Sequence, residues 1–188
     1  MGDLLSSNAV ASVAAEGALL NLDDAHRAAL AVNARRIPTE RDPRWRNVLY
    51  QNGLLPNVTP DERLDLLVWA ASRPSQVDVV KAQNELLDMA AKDPDLLLAR
   101  LGRPGPGRDV IAVALSFAHE RRAVPALVAL YRGPSSPVER RAAAAALARL
   151  AGNDLAPRPD ASDDERAKDA ARLSAWYREK GGAADATR

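Results

Sequence analysis

The fold can be derived from one stretch, residues 122–150, which reads RAVPALVALYRGPSSPVERRAAAAALARL. Its apolar residues recur at i, i+3, i+4 and i+7, first at Val124, Leu127, Val128 and Tyr131 and then at Ala143, Ala146, Leu147 and Leu150. This spacing places each set on one face of an α-helix. Gly133 is a helix stop signal and Ser136-Pro137 is a helix start signal, so the stretch predicts two helices joined by a short turn.

The same apolar pattern extends outward over most of the chain, and no segment shows the sustained alternation of a strand. Three capping boxes, in which a Ser or Thr is followed three residues later by Glu, predict helix starts at Thr59, Ser136 and Ser162. The predicted helices span residues 4–20, 23–36, 43–52, 60–72, 75–92, 94–101, 108–119, 121–132, 137–151 and 163–180. The fold class is therefore predicted to be all-α.

The sequence also repeats over a length much longer than one helical turn. The stripe Ile111, Ala114, Leu115, Ala118 maps onto Ala143, Ala146, Leu147, Leu150 by a constant shift of 32 residues. The preceding helices correspond at a shift of 31, with Leu96 and Leu97 falling on Leu127 and Val128. Two-helix units of this length, stacked on copies of themselves, are typical of a helical solenoid.

The residues of these repeats resemble the HEAT-repeat family. Residues 122–130, RAVPALVAL, resemble the first helix of a HEAT repeat with its internal Pro, and residues 138–150, VERRAAAAALARL, resemble the second helix. One departure is that Glu139 separates Val138 from the Arg pair that Val directly precedes in the family. The resemblance is good over 107–181, fair over 60–106 and weak before 60. It implies a right-handed α-α superhelix of about five antiparallel helix pairs, whose second helices line a concave binding face.

Domain organisation follows from the extent of these repeats. Residues 1–180 are predicted to form a single HEAT-like domain, with 1–58 either continuing the solenoid as a divergent N-terminal cap or forming a docking arm. Residues 153–162 are predicted to be an extended connector before the last helix. The segment 181–188 lacks apolar anchors and is predicted to be disordered.

Composition and charge exclude several classes of function. The chain has 188 residues, of which 38 are Ala and none is Cys, so thiolate metal sites and a Cys nucleophile are excluded. Its formal net charge of +1 gives no general attraction to nucleic acid, and nucleic-acid binding is not expected. No apolar run is long enough to cross a membrane, although peripheral association with a complex stays open. The sequence favours a cytoplasmic location and leaves a periplasmic one open if a signal peptide precedes these residues.

Basic residues supply the candidate binding surface. The first set is expected on the second helices of the repeats and contains Lys81, Arg108, Arg140 and Arg141. The second set lies within residues 35–46 and contains Arg35, Arg36, Arg41, Arg44 and Arg46 beside Trp45. Either set could bind an anionic partner, or its long side chains could pack over the solenoid surface with solvated head groups. Structural ion pairs between repeats are also expected for Arg121, Arg122, Arg140 and Arg141, with Asp109 as a partner for Arg141.

No catalytic or metal-binding pattern is recognised, and no cofactor is predicted. His26 and His119 are far apart, and neither has a Ser, Asp or His companion suited to catalysis. The function predicted is a non-catalytic protein–protein interaction scaffold, an adaptor or an accessory subunit of a larger assembly. Two alternatives rest on the HEAT-like fold: a nucleic-acid-binding protein or alkylpurine DNA glycosylase, and a bilin lyase that attaches a chromophore to a partner's Cys.

Overall fold

The computed structural model describes residues 22–23, 25–26, 29, 46, 49–50, 53, 55, 58–72 and 76–181. Within these ranges it contains seven α-helices and no strand, which confirms the all-α prediction. The helices are α1 (Pro60–Ala71), α2 (Gln76–Lys92), α3 (Pro94–Leu101), α4 (Arg108–Phe117), α5 (Val124–Arg132), α6 (Pro137–Ala151) and α7 (Asp163–Trp176). None of them is long and apolar enough to cross a membrane.

The chain divides into two compact units, residues 1–70 and residues 71–188. The first unit is described over the helical positions 25–26, 29, 46 and 49–50 and over most of α1. The predicted helix at 4–20, much of those at 23–36 and 43–52, and the segment 182–188 lie outside the described residues. The role of residues 1–58 and the disorder of the C-terminal segment therefore stay predictions.

All three predicted capping boxes are formed. Ser136 Oγ accepts a hydrogen bond from the Glu139 N–H at 3.2 Å, while Glu139 Oε2 accepts one from the Ser136 N–H at 2.8 Å. Thr59 with Glu62 and Ser162 with Glu165 make the same reciprocal contacts. Each box satisfies two backbone N–H groups around the helix start, so these helices begin where the sequence predicts.

The other helix ends differ from the prediction in detail. Helix α4 ends at Phe117 because His119 takes a left-handed conformation with φ 56°, and the Glu120 N–H then donates to the Leu115 carbonyl at 3.0 Å. Residues Arg121–Ala123 form a 3-10 turn before α5, and Tyr177–Gly181 form a π turn after α7. The connector before α7, predicted to be extended, instead begins with a 3-10 turn, Asn153–Leu155, and contains a second turn in which the Ala161 N–H donates to the Arg158 carbonyl at 3.2 Å.

The core of the second unit is built from the predicted apolar stripes. Leu115, Leu127, Tyr131 and Leu147 are fully buried, and their stripe neighbours on the same helices are buried with them, apart from half-buried Ala118. Helix α4 packs against α2 and α6, while α5 packs against α6, α7 and α3. Each helix therefore completes its apolar face on the helices of neighbouring pairs.

Helices α4 and α6 run in the same direction. Arg108, the first residue of α4, pairs with Glu139 in the first turn of α6, and Phe117, the last residue of α4, contacts Arg149 in the last turn of α6. The pairs are separated by 31 and 32 residues along the chain, which are the shifts read from the apolar stripes. This register brings the outward faces of the two helices side by side.

Tyr131 fixes the last helix and its connector to the core. Its hydroxyl donates to the Arg158 carbonyl at 2.8 Å and lies 3.3 Å from Asp169 Oδ2 of α7. Burial of the phenol, together with the negative charge of Asp169, raises the pKa of Tyr131 to about 12. The neutral hydroxyl therefore remains a hydrogen-bond donor at every physiological pH.

Candidate functional site

Two of the four basic residues predicted on the second helices have structural partners. The Arg108 Nε donates to Glu139 Oε1 at 2.8 Å, and the two side chains are only 20% and 15% exposed. The Arg140 guanidinium donates to the Ser135 carbonyl just before α6. Arg108 and Arg140 therefore both contact the start of α6, and their place in the candidate binding surface stays a prediction.

Lys81 and Arg141 are exposed, as expected of surface residues. Arg141 lies 3.9 Å from Asp160, an exposed and loose contact worth little to stability. The predicted pair between Arg141 and Asp109 is not formed, and the ion pair between α4 and α6 joins the preceding residue, Arg108, to Glu139 instead. The ion pair predicted for Arg122 is formed, because its Nη1 lies 2.8 Å from Asp95 Oδ1 in the first turn of α3.

Of the predicted basic cluster at residues 35–46, only Arg46 is described. Its Nη2 lies 2.9 Å from Glu62 Oε1, and Glu62 is the acidic member of the capping box that starts α1. The hydrogen bonds from Thr59, followed by the contact with Arg46, hold the pKa of Glu62 below its usual value. Arg46 is thus engaged within the first unit, while Arg35, Arg36, Arg41, Arg44 and Trp45 lie outside the described residues.

An apolar groove lies over α2, α4 and α6 in the second unit. Its volume is about 400 Å³. Leu86 and Leu87 of α2 form one wall, Val113 and Phe117 of α4 form the floor, and Val138 with Ala142 of α6 form the opposite wall. The groove follows from the parallel arrangement of α4 and α6, which aligns their outward faces.

Large apolar side chains are left exposed along this surface. Phe117 is 50% exposed, Val113 is 39% exposed and Val138 is 59% exposed, and all three line the groove. One more large apolar residue of the described chain is exposed, Val80, and it lies on α2. Isolated exposed apolar residues are ordinary, but a continuous patch on neighbouring helices is typical of a surface that binds another molecule.

Two charged residues mark the ends of the groove. Asp109 lines it at the start of α4, and at the other end the Arg149 guanidinium stacks over the Phe117 ring, 3.8 Å from the ring centroid. Neither side chain has an ion pair or a hydrogen bond within the described part of the chain. The polar ends and the apolar floor give the groove the composition of a small protein-binding site.

The chemistry available to the two histidines differs from the prediction in one respect. His26 does have an acidic companion, because its Nδ1 lies 2.7 Å from Asp23 Oδ1, and Asp23 also accepts the His26 backbone N–H at 2.8 Å. Both side chains are exposed, and the geometry is that of a helix-start contact. Among the described residues, no cluster of three or more His, Asp or Glu side chains is arranged to hold a metal ion.

The groove residues were missed in the sequence because apolar residues on a helix read as core. The signal for them was a second apolar stripe on α4, with Val110, Val113 and Phe117 at i, i+3 and i+7. This stripe lies beside the buried one at Ile111, Ala114 and Leu115, so apolar residues cover most of the circumference of α4. A helix of that kind must be covered on both faces or expose one of them.

Comparison of the chain with protein-family models, with curated proteins and with solved structures gives no match. The resemblance to HEAT repeats thus depends on the quoted residues and stays a prediction.

Proposed function

We propose that this chain is a non-catalytic protein–protein interaction scaffold built from HEAT-like helical repeats, serving as an adaptor or an accessory subunit. The observation that carries the proposal is the apolar groove over α2, α4 and α6, with Phe117, Val113 and Val138 exposed in it.

The repeat architecture is supported by the order of helix contacts. Helices α2, α4 and α6 touch in sequence, and so do α3, α5 and α7. The shift of 31 or 32 residues between matching positions of α4 and α6 is the one expected for stacked two-helix units. In such a stack the groove lies on the second helices, the face that HEAT-like proteins use for binding.

The groove favours a protein partner over nucleic acid. Its floor is apolar, the charged residue in its lining is the acidic Asp109, and the basic Arg149 lies against Phe117, whereas a nucleic-acid surface needs an excess of Lys and Arg along the phosphate backbone. Burying apolar area contributes about 25 cal/mol per Å², so covering the Phe117 ring and two valines would supply a few kcal/mol of binding energy. An exposed aromatic between aliphatic walls is a typical anchor point in a protein interface.

The test is affinity purification of the tagged full chain from its native cells, with quantitative mass spectrometry of the companions. Wild type is compared with Val113→Asp, which places a charge on the groove floor, and with Ala129→Asp, which places the same charge on an exposed position of α5 outside the groove. We expect a stoichiometric protein companion that remains with wild type and Ala129→Asp and is lost with Val113→Asp.

Circular dichroism first establishes that both variants retain the wild-type helix content. A companion retained equally by all three proteins would contradict the assignment of the groove. Recovery of nucleic acid or a pigment in place of a protein would contradict the scaffold function and favour one of the two alternative classes.

A further inference from the structure

Asp109 and Arg149, the charged residues at the two ends of the groove, form no ion pair among the described residues. Arg108 and Glu139, at the starts of α4 and α6, neutralise each other in an ion pair. Asp109, which lines the groove at the start of α4, and Arg149, which stacks on the groove residue Phe117 at the end of α4, have no charged partner among the described residues. The groove is therefore electrically polar along its length, with a negative end at Asp109 and a positive end at Arg149.

Arg149 is arranged to bind a carboxylate. Its guanidinium carbon lies 3.8 Å from the centroid of the Phe117 ring, and the side chain is exposed, so its N–H donors are accessible to a ligand. A guanidinium held in this way loses little conformational entropy when a carboxylate binds to two of its N–H groups.

The separation of the two charges corresponds to two turns of a helix. Asp109 precedes Phe117 by eight residues on α4, which is a rise of about 12 Å. On an opposing helix the same distance separates residues at i and i+7 or i+8, which also lie on one face.

From these observations we infer that the partner segment is an amphipathic helix, docked antiparallel to α4 and α6, that carries an acidic residue for Arg149 and, two turns later, a basic residue for Asp109. This inference rests on the proposed function. Apolar residues between the two charges occupy the floor beside Val113 and the wall at Val138. The antiparallel direction places the acidic residue near the N-terminus of the partner helix and the basic one nearer its C-terminus, which is also the favourable order for the helix dipole.

The probe is a display library of short helical peptides with apolar residues fixed at i, i+3, i+4 and i+7 and all flanking positions randomised. It is selected on the full wild-type chain. The best selected peptide and a copy with its acidic and basic residues exchanged are then titrated by fluorescence anisotropy. The protein variants are Phe117→Ala, Arg149→Glu and the double variant Asp109→Lys/Arg149→Glu. Arg141→Glu serves as the control, because it makes the same charge change at another exposed position of α6, which is not stacked on Phe117.

We expect the selected peptides to carry an acidic residue followed about two turns later by a basic one. Arg149→Glu should weaken their binding about tenfold or more, whereas Arg141→Glu should have a much smaller effect. The double variant should reverse the preference and bind the exchanged peptide more tightly than the selected one.

Equal affinity of the two peptides for wild type, or equal effects of Arg149→Glu and Arg141→Glu, would overturn the inference. If Phe117→Ala still abolished binding in that case, the groove would remain the binding site and the proposed function would stand. Binding that Phe117→Ala does not change would contradict both. A wild-type dimer in sedimentation that Val113→Asp converts to a monomer would also overturn the inference, because the occupant of the groove would then be a second copy of the chain.

Discussion

At the scale of single residues, the ion pair between Arg108 and Glu139 shows how one carboxylate serves two roles. Glu139 accepts the Ser136 N–H as part of the capping box and accepts the Arg108 guanidinium from α4. Burial opposes ionisation of this carboxyl, but the hydrogen bonds from Ser136 and then Arg108 outweigh it and lower the pKa of Glu139. The ionised form is thus favoured by folding.

This shift predicts a loss of stability in acid. A carboxyl with a lowered folded-state pKa stabilises the protein above its unfolded-state pKa, near 4.5, and the stabilisation is lost as the pH falls through the folded-state value. Glu139→Gln keeps the capping geometry and removes the charge, so it should reduce the free energy of unfolding by about 1–2 kcal/mol at pH 7. The measurement is urea denaturation of both proteins from pH 7 down to pH 2, where the difference between them should narrow.

Glu165→Gln is the matched control for this prediction. Glu165 occupies the same position in the capping box of α7, but its partner Arg158 is exposed to solvent and the charge is screened. We expect Glu165→Gln to lower the free energy of unfolding at pH 7 by less than Glu139→Gln does. If Glu139→Gln lowers the free energy of unfolding by the same amount at pH 2 as at pH 7, the charge of Glu139 does not contribute to stability.

At the scale of the helices, the end of α4 is strained by a non-glycine residue. His119 has φ 56° and occupies the position at which Gly most often ends a helix, with hydrogen bonds from Glu120 to Leu115 and from His119 to Ser116 closing the turn. The His119 side chain is exposed to solvent. What ends the helix is the backbone conformation, which the sequence did not indicate because His is uncommon at such positions.

Relief of this strain should stabilise the protein. His119→Gly removes the Cβ that makes the left-handed conformation unfavourable, and we expect a gain of about 0.5–1 kcal/mol in the free energy of unfolding. His119→Ala keeps the Cβ and should give no gain. Thermal or urea unfolding of the three proteins measures the difference, and equal stabilities for the Gly and Ala variants would contradict the account.

At this scale the sequence predicted features that depend on residues close together in the chain. The capping boxes at Thr59, Ser136 and Ser162 are readable because the interacting residues are three apart, and the apolar stripes are readable because they repeat along one helix. The partner of Arg108 was not readable, because a shift of one residue between the two helices decides whether Arg108 pairs with Glu139 or Asp109 pairs with Arg141. Exposure of Phe117 could not be read either, since an apolar residue does not itself show which of the two apolar faces of α4 is covered.

At the scale of the whole molecule, the second unit contains more apolar helix surface than its own helices cover. Helix α4 contacts α2, α6 and α3, and these contacts bury Leu115 completely while Val113, two residues earlier, remains exposed. The uncovered stripe continues onto α6 at Val138, so it is a property of the helix arrangement and not of one side chain. Exposed apolar surface of this extent promotes association, and a polar surface there would favour solubility.

If the stripe serves binding, its residues should contribute little to the stability of the isolated chain. Val113→Ser should change the free energy of unfolding by no more than about 0.5 kcal/mol, as is usual for surface positions. The control on the same helix is Leu115→Ala, which empties a fully buried site and should cost about 2–5 kcal/mol. Urea unfolding of both variants measures these values. A cost for Val113→Ser comparable with that of Leu115→Ala would mean that Val113 belongs to the core, and the groove would then have no free apolar floor to offer a partner.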